Sequence, residues 1–161
     1  MHSVVEIRAL TVSDWGEVVA IFVEGIATRL ATFETTAPTW EDFDAHRHPE
    51  HRLVAVRDGG VAGWATLSPT SSRACYAGVA ESSVYVAERA RGNGVGRALM
   101  EALIESARAG GIWTIHAGMF PENAASVALH EHLGFRQVGR LERIAQLDGV
   151  WRDTVLLELR L

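Results

Sequence analysis

The 161-residue sequence predicts a mixed α/β fold in which one sheet layer is flanked by helices. Segments with strand and helix patterns follow one another in the order βααββ and then βαβαββ. In residues 150–161, Val155, Leu157 and Leu159 share one face, which is the period of a strand. In residues 94–109, apolar residues recur every four positions and two glycines follow, which indicates a helix and its end.

The first half of the chain supplies the elements βααββ. Each is predicted from its apolar periodicity and from the helix-start or turn residues at its ends. A threonine-rich loop at 31–38 separates the two helices. The elements are a strand at 4–10, a helix at 14–30, a short helix that Thr39 caps and that runs to about Ala45, and a hairpin of 53–57 and 61–67 around Asp58-Gly59-Gly60.

The second half supplies the elements βαβαββ. They are a strand at 76–86, a helix at 94–109, a strand at 112–117, a helix at 121–133 that Gly134 ends, and an antiparallel pair at 135–146 and 150–161 around Asp148-Gly149. No repeat, linker or low-complexity tract interrupts the chain. We therefore expect one domain over residues 1–161.

The composition argues against several classes of function. The formal net charge of -5 makes a nucleic-acid partner unexpected. No apolar stretch has the length that crosses a bilayer, so we expect no membrane partner. Cys75 is the only cysteine, so no intrachain disulfide can form and a reducing cytoplasm is the expected location. The histidine-rich stretch 46–51 has no defensible zinc-ligand spacing, and we expect no metal.

The strongest local motif is a glycine-rich turn between the strand at 76–86 and the helix that follows. A helix start offers free backbone N–H groups and a positive dipole end, and glycines let a phosphate approach those donors. Two arginines add charge that complements an anion. The alternative is a turn that only connects strand to helix. The turn consists of Arg91, Gly92, Asn93, Gly94, Val95, Gly96 and Arg97.

Two common phosphate-binding motifs fail at this turn. A P-loop needs Gly-Lys-Ser/Thr at its end, but Gly96 is followed by Arg97 and Ala98. A dinucleotide-binding fingerprint needs a third glycine or an alanine, and both possible frames end instead on Arg97 or Leu99. A different phosphate-containing ligand is therefore indicated.

The pattern Arg-x-x-Gly-x-Gly after a strand resembles the cofactor motif of the GNAT N-acetyltransferase superfamily. The resemblance is stronger to its phosphinothricin and methionine sulfoximine acetyltransferase branch, and it runs from about Ile7 to Leu159. The motifs that carry it are Phe33-Glu34-Thr35-Thr36-Ala37-Pro38-Thr39, Glu81-Ser82-Ser83-Val84-Tyr85-Val86, Leu129-His130-Glu131-His132-Leu133-Gly134-Phe135 and Trp151-Arg152-Asp153.

This resemblance implies a twisted, mostly antiparallel sheet whose two central parallel strands splay apart, with acetyl-CoA as the cosubstrate. It also implies that the pantetheine amides pair with the backbone of Val84, Tyr85 and Val86, and that the N–H groups of residues 92–97 hold the pyrophosphate. Asn123 matches the family asparagine that contacts the pantetheine arm. An alternative for Asn123 is a helix cap.

The resemblance also implies a direct attack by an amine on the thioester, with Glu81 as the general base. The amine must lose a proton, because free α-amino groups have a pKa near ~8. His130 matches a position where other GNAT enzymes carry a tyrosine, and it could protonate the sulfur or organise Glu81. The alternatives are a solvent-exposed strand-edge glutamate and a partly buried helix histidine.

The acceptor half of the family pattern is less complete. Arg73 and Tyr76 fit the aromatic and basic cluster before the catalytic strand, but Thr70 replaces its tryptophan. Together with Phe33, Arg73 and Tyr76 indicate a small amino-acid-like amine as the substrate, because an arginine can bind a carboxylate. A peptide or protein N-terminal acetyltransferase and a non-catalytic acyl-CoA-binding module are alternatives. The branch further implies a homodimer.

Overall fold

The computed structural model describes residues 4–161, which form a seven-stranded sheet in the order β1-β2-β3-β4-β5-β7-β6. The strands are β1 Glu6–Ala9, β2 Arg52–Arg57, β3 Gly60–Pro69, β4 Val79–Val86, β5 Thr114–Met119, β6 Arg136–Leu147 and β7 Val150–Arg160. The helices are α1 Trp15–Thr28, α2 Trp40–His46, α3 Val95–Ala109 and α4 Ala124–His132. The predicted element order is confirmed.

The start of α2 shows how local sequence sets an element. Thr39 has an extended backbone, and its side chain accepts a hydrogen bond from the N–H of Asp42 at 3.2 Å. This bond satisfies one of the N–H groups that a helix start leaves free. The predicted cap is therefore confirmed.

Several predicted boundaries are shifted; the strand predicted at 112–117, for example, is β5 at Thr114–Met119. The strand predicted from Tyr76 begins at Val79, because residues 74–76 form a short 3-10 helix in which Tyr76 N–H donates to Arg73 O at 3.0 Å. The helix predicted from Pro121 begins at Ala124, because Asn123 caps it. In the last two cases the predicted start falls in a short turn whose backbone N–H groups bond to local acceptors, and the element begins only after that turn.

The parallel strands β4 and β5 pair only at their beginnings. Their register runs from Val79 opposite Thr114 to Glu81 opposite His116, and it ends there. β4 nevertheless stays paired with β3 as far as Val86. The predicted splay is confirmed, and it leaves the β5 side of the end of β4 open.

The two faces of the sheet carry different helices. At Gly63 of β3 an added Cβ would lie 3.0 Å from Leu99 Cδ1 and 3.2 Å from Val95 Cγ1, so α3 packs closely on this face. The next residue, Trp64, is fully buried on the opposite face, between Phe22 of α1 and Phe43 of α2. Because side chains alternate along a strand, the β4 residues opposite Trp64, Thr66 and Ser68 also face α1 and α2. Those residues are Tyr85, Ser83 and Glu81.

Within residues 4–161, no helix is both long enough and apolar enough to span a membrane.

Candidate functional site

A cleft of about 580 Å³ opens where β4 leaves β5. Its walls are the end of β4, the glycine turn with the start of α3, the start of α4 and the end of α1. The sequence predicted most of these residues as a cofactor site. Those that line the cleft are Val84, Tyr85, Val86, Arg91, Gly92, Gly94, Val95, Gly96, Arg97 and Asn123.

The glycine turn presents the start of α3 to this cleft. Gly92 and Gly94 have φ angles of 78° and 77°, a region that L side chains rarely adopt. Gly94 is the residue before the helix, and its carbonyl accepts the N–H of Ala98 at 3.0 Å. The N–H groups of Val95, Gly96 and Arg97 precede this first helical bond and have no intrahelical acceptor. They form a cluster of donors suited to an anion.

The side chains of the turn have distinct roles. Asn93 donates to the carbonyls of Ala90 and Arg91 at 3.2 and 3.0 Å, so it closes the turn and does not line the cleft. Arg97 is paired with Glu101 at 2.8 Å, one helical turn on. Arg91 lines the cleft and has no carboxylate within 4.0 Å in residues 4–161. Arg91 is therefore the cation of the turn that is available to an anion.

Asn123 joins two walls of the cleft. Its Oδ1 accepts the N–H of Ser126 at 3.3 Å, which caps α4. Its Nδ2 donates to the carbonyl of Leu30, just after α1, at 3.2 Å. The capping interpretation is thus correct, and the same residue also lines the cleft. Contact with pantetheine stays a prediction.

Tyr85 forms part of the floor of the cleft. Its ring stacks on Trp64 and Phe22, with centroids 4.6 and 5.1 Å away. Gly25 of α1 lets the ring approach, because an added Cβ there would lie 2.6 Å from Tyr85 Cε1. Burial raises the pKa of the Tyr85 hydroxyl above its ordinary 10.0, so the hydroxyl is neutral at physiological pH.

Glu81 lies at the vertex of the splay, the point at which β4 and β5 separate. It is the last β4 residue that pairs with β5, it is exposed, and it does not line the cleft itself. It shares its sheet face with Ser83 and with Tyr85, which does line the cleft. Its side chain therefore lies on the α1 and α2 face of the sheet, two alternate strand positions before Tyr85.

His130 is buried on α4, with 3% of its surface exposed. Its Nδ1 lies 2.7 Å from the carbonyl oxygen of Ser126, so in the neutral ring Nδ1 carries the hydrogen and Nε2 does not. Burial lowers the pKa of the His130 imidazole below its ordinary 6.5. A neutral ring in this tautomer has no proton at Nε2, so this geometry favours the structural alternative.

The three predicted acceptor residues do not line the cleft. Phe33 packs edge-on against Phe120, with ring centroids 4.8 Å apart. Arg73 is exposed and its guanidinium lies 5.4 Å from the ring of Tyr76, itself 45% exposed. The structure therefore brings the cofactor half of the predicted site together and leaves these acceptor residues apart from it.

Two polar groups escaped the sequence analysis. Arg47 is half-buried and donates from Nη1 to Ser83 Oγ at 3.1 Å. His116 lies opposite Glu81, and its Nε2 is 2.8 Å from Glu158 Oε2. The hydrogen bond to His116 lowers the pKa of the Glu158 carboxyl. Sequence could have indicated His116 only if the strand register had been known.

Comparison with known proteins identifies the class. The profile of the Acetyltransferase (GNAT) family matches residues 16–135. The chain belongs to this family, and it is therefore an acetyltransferase of the GNAT class.

Individual relatives are similar over nearly the whole chain. An L-methionine sulfoximine/L-methionine sulfone acetyltransferase of Pseudomonas paraeruginosa is 32% identical over 163 residues, which cover 96% of this chain and 94% of the relative. A phosphinothricin acetyltransferase of Sinorhizobium meliloti, solved in complex with acetyl-CoA, superposes with a TM-score of 0.87 at 27% identity, covering 100% of this chain and 89% of that one. A ribosomal-protein-alanine N-acetyltransferase of Brucella melitensis superposes with a TM-score of 0.87 at 34% identity, covering 97% and 99%.

These similarities confirm the family resemblance, the fold class and the enzyme class that the sequence predicted. They also support acetyl-CoA as the cosubstrate, because the Sinorhizobium structure contains it. In residues 4–161, no group of three or more histidine, cysteine or acidic side chains is placed to hold a metal ion.

Proposed function

We propose that this chain transfers the acetyl group of acetyl-CoA to the amine of a small amino-acid-like acceptor of the phosphinothricin or methionine sulfoximine type. One observation carries the proposal. All the predicted cofactor residues except Asn93 line a single cleft, and the predicted base, Glu81, lies where β4 and β5 separate, on the sheet face that it shares with Tyr85 of the cleft. The similarity to the Pseudomonas methionine sulfoximine/sulfone acetyltransferase over 96% of the chain supports this acceptor class.

The cleft suits the two polar parts of CoA. The β5 side of Val84, Tyr85 and Val86 has no strand partner in residues 4–161, so its backbone groups can pair with the pantetheine amides as an added strand would. The N–H groups at the start of α3 then hold the pyrophosphate, and Arg91 adds a positive charge. The apolar wall that Leu129 provides suits the rest of the arm.

Acetyl-CoA supplies an already activated thioester, so the chain needs no serine or cysteine nucleophile. Glu81 takes the proton from the acceptor amine, directly or through water, as the new C–N bond forms and the C–S bond breaks. A backbone N–H near Val86 donates to the carbonyl oxygen as negative charge develops on it. A thiol with an ordinary pKa near ~8.5 can leave as the thiolate, so His130 is not required as an acid.

The edge strand β6 and the end of the sheet expose several large apolar side chains. They are Val138, Leu141, Ile144, Val150 and Trp151. An edge strand with exposed apolar residues is a site where a second chain can associate. We infer a homodimer that covers this surface, and elution of a monomer in size-exclusion chromatography with light scattering would contradict it.

The exposed Cys75 suits a reducing cytoplasm, where it stays a free thiol, and we propose that location for the single domain.

A second candidate is acetylation of a peptide or protein N-terminus. The Brucella neighbour, named for ribosomal-protein-alanine acetylation and 34% identical, favours it. The contact of Phe33 with Phe120 argues against this second candidate. This contact packs the 31–38 loop close to the start of α4 and narrows the space for a peptide.

The test is a thiol-release assay with acetyl-CoA and a panel of amino acids, sulfoximines, sulfones, polyamines and peptides. We expect turnover with amino-acid sulfones, sulfoximines or phosphinothricin. Turnover with peptides alone would favour the second candidate. Calorimetric binding of CoA without any turnover would indicate a non-catalytic acyl-CoA-binding module.

A further inference from the structure

Arg47 is a half-buried arginine held in a fixed orientation. Its guanidinium lies 4.7 Å from the ring centroid of Phe43 and 5.5 Å from that of Trp64. Its Nη1 donates to Thr66 Oγ1 at 2.9 Å and to Ser83 Oγ at 3.1 Å. The loop that carries it is fastened to β3, because His48 N–H donates to Leu67 O at 2.7 Å. The guanidinium is therefore positioned by two rings and two hydroxyls.

The charge of Arg47 has no ionic partner. No carboxylate in residues 4–161 lies within 4.0 Å of its guanidinium, and burial lowers its pKa from the ordinary value. The neighbouring Arg52 differs, because it is buried with Asp44 at 2.6 Å. A buried charge is costly unless it is paired. An arginine kept half-buried without a carboxylate is therefore suited to an anionic group that arrives from outside.

The free edge of the guanidinium can receive a carboxylate. Only Nη1 has hydrogen-bond partners among the described residues, which leaves Nε and Nη2 without any. Neither of these two nitrogens is completely buried. Nε and Nη2 form one edge of the arginine fork, and this edge binds the two oxygens of a carboxylate in parallel.

The position of Arg47 matches the geometry of an amino acid at the proposed base. Ser83, which Arg47 contacts, lies between Glu81 and Tyr85 on one sheet face. Alternate residues of a strand lie about 7 Å apart, so Ser83, which Arg47 contacts, is one such step from Glu81. Glu81, Tyr85 and Glu34 are all close enough to Arg47 to interact with its charge, although no carboxylate is in direct contact with it. An acceptor whose amine faces Glu81 can therefore direct its α-carboxylate towards Arg47.

We propose that Arg47 binds the α-carboxylate of the acceptor and so selects α-amino acids over simple amines. The inference rests on the proposed function and identifies the chemical group of the substrate that Arg47 recognises. Arg73 is the competing residue. Neither arginine lines the cleft itself. Arg73 is exposed and stacks on the exposed Tyr76, whereas Arg47 is half-buried and donates to Ser83 on the sheet face of Glu81. Arg47 needs no rearrangement to present its free edge.

The experiment compares acetylation of L-methionine sulfone with that of its primary amide, which keeps the α-amine and the side chain but removes the negative charge. Arg47→Met keeps the apolar stem over Phe43 and Trp64 but removes the fork. We expect it to raise KM for the sulfone about 10- to 100-fold, the value of a hydrogen bond to a charged group, and to change KM for the amide less than about 3-fold. Arg47→Lys, which keeps the positive charge but loses the fork, should raise KM for the sulfone less than Arg47→Met does.

The matched control is Arg108→Met on α3, where the arginine is exposed and paired with Glu105. It leaves both KM values unchanged. Thermal unfolding and CoA binding are measured for every variant, so that a variant that fails to fold is recognised. If Arg47→Met does not fold, the comparison of sulfone and amide is made with Arg47→Lys. An equal rise of KM for the sulfone and the amide would mean that Arg47 has a structural role. A shift of the kcat pH profile with both substrates would mean that Arg47 acts through Glu81.

A selective loss in Arg73→Met but not in Arg47→Met would also overturn the inference. So would a wild-type enzyme that acetylates only amines without a carboxylate, although acetyl transfer itself would then stand. CoA binding without acetylation of any amine would instead overturn the proposed function, and the inference with it.

Discussion

Glu81 of β4 and His116 of β5 form the last parallel pair before the two strands separate. His116 Nε2 lies 2.8 Å from Glu158 Oε2, and Glu158 Oε1 accepts a hydrogen bond from Arg136 at 2.8 Å. This network fastens β5 to β7 and β6 just beside the vertex. The carboxylate of Glu81 takes no part in this network, as its proposed role of general base requires.

Glu81→Gln should lower kcat by at least ~10², the lower end of the range for loss of a general base. The amide keeps the shape of the side chain but cannot take the proton from the amine. Steady-state kinetics at saturating acetyl-CoA measure the effect. Glu105→Gln, at an exposed position on α3, is the matched control and should leave kcat unchanged. Wild-type turnover in Glu81→Gln would remove Glu81 from the role of base.

Gly94→Ala should weaken CoA binding and lower the free energy of unfolding by about 1–2 kcal/mol, because φ is 77° and L residues adopt this conformation at a cost. Gly59→Ala is a matched control: its φ is 79°, an added Cβ also meets nothing within 4 Å, and it lies in the β2–β3 turn away from the cleft. We expect both variants to lose similar stability in chemical denaturation. Only Gly94→Ala should weaken CoA binding in calorimetry, and equal CoA affinities would show that the turn does not hold the cofactor.

Local patterns predicted the fold and the cofactor wall because their causes are local. The helix period of α3, the alternation of β7 and the glycines at 92 and 94 each reflect conformation or burial within a few residues. The family resemblance then placed Val84 to Val86 and Asn123 around one ligand. The structure shows that these residues line a common cleft.

The acceptor side could not be predicted in the same way, because its geometry depends on contacts between distant segments. Arg47 meets Ser83, 36 positions away, and Glu81 meets His116 only through strand register. Tyr76 lies in a segment whose sequence pattern predicts a strand, but its N–H closes a 3-10 turn onto the carbonyl of Arg73. No periodicity in the sequence reports such long-range pairing.

His130→Gln should leave the pH profile of kcat unchanged and should reduce the pH dependence of stability. Burial lowers the folded-state pKa of His130 below its ordinary 6.5. As the pH falls, the imidazole is therefore protonated in the unfolded chain at a higher pH than in the folded chain. His130 therefore contributes stability above about pH 6.5, and this contribution is lost as the pH falls towards its folded-state pKa.

The measurement is denaturant unfolding of wild type and His130→Gln between about pH 7 and pH 5. His51, whose pKa burial also lowers, keeps part of the slope in both proteins. We expect a smaller loss of stability in the variant. A shift in the basic limb of the kcat pH profile, where an essential acid loses its proton, would instead restore His130 as a proton donor to the leaving thiolate.

Asp14→Asn should destabilise the fold by about 2 kcal/mol near pH 7 and by progressively less as the pH falls. Asp14 is buried, and its two carboxylate oxygens bind Arg8 at 2.8 and 2.9 Å. The hydrogen bond from Arg8 is the main cause that lowers the Asp14 pKa from 3.8 to about 2.

Because the folded-state pKa of Asp14 is lowered, its contribution to stability is complete above about pH 4 and disappears as the pH falls through about 2. The difference in unfolding free energy between the two proteins should therefore be constant from about pH 7 to pH 5 and should shrink as the pH falls to about 3, while the exposed-site control Asp58→Asn stays within about 0.5 kcal/mol of wild type. A difference that does not change with pH would mean that Asp14 stabilises β1 and α1 through packing or capping and not through its charge.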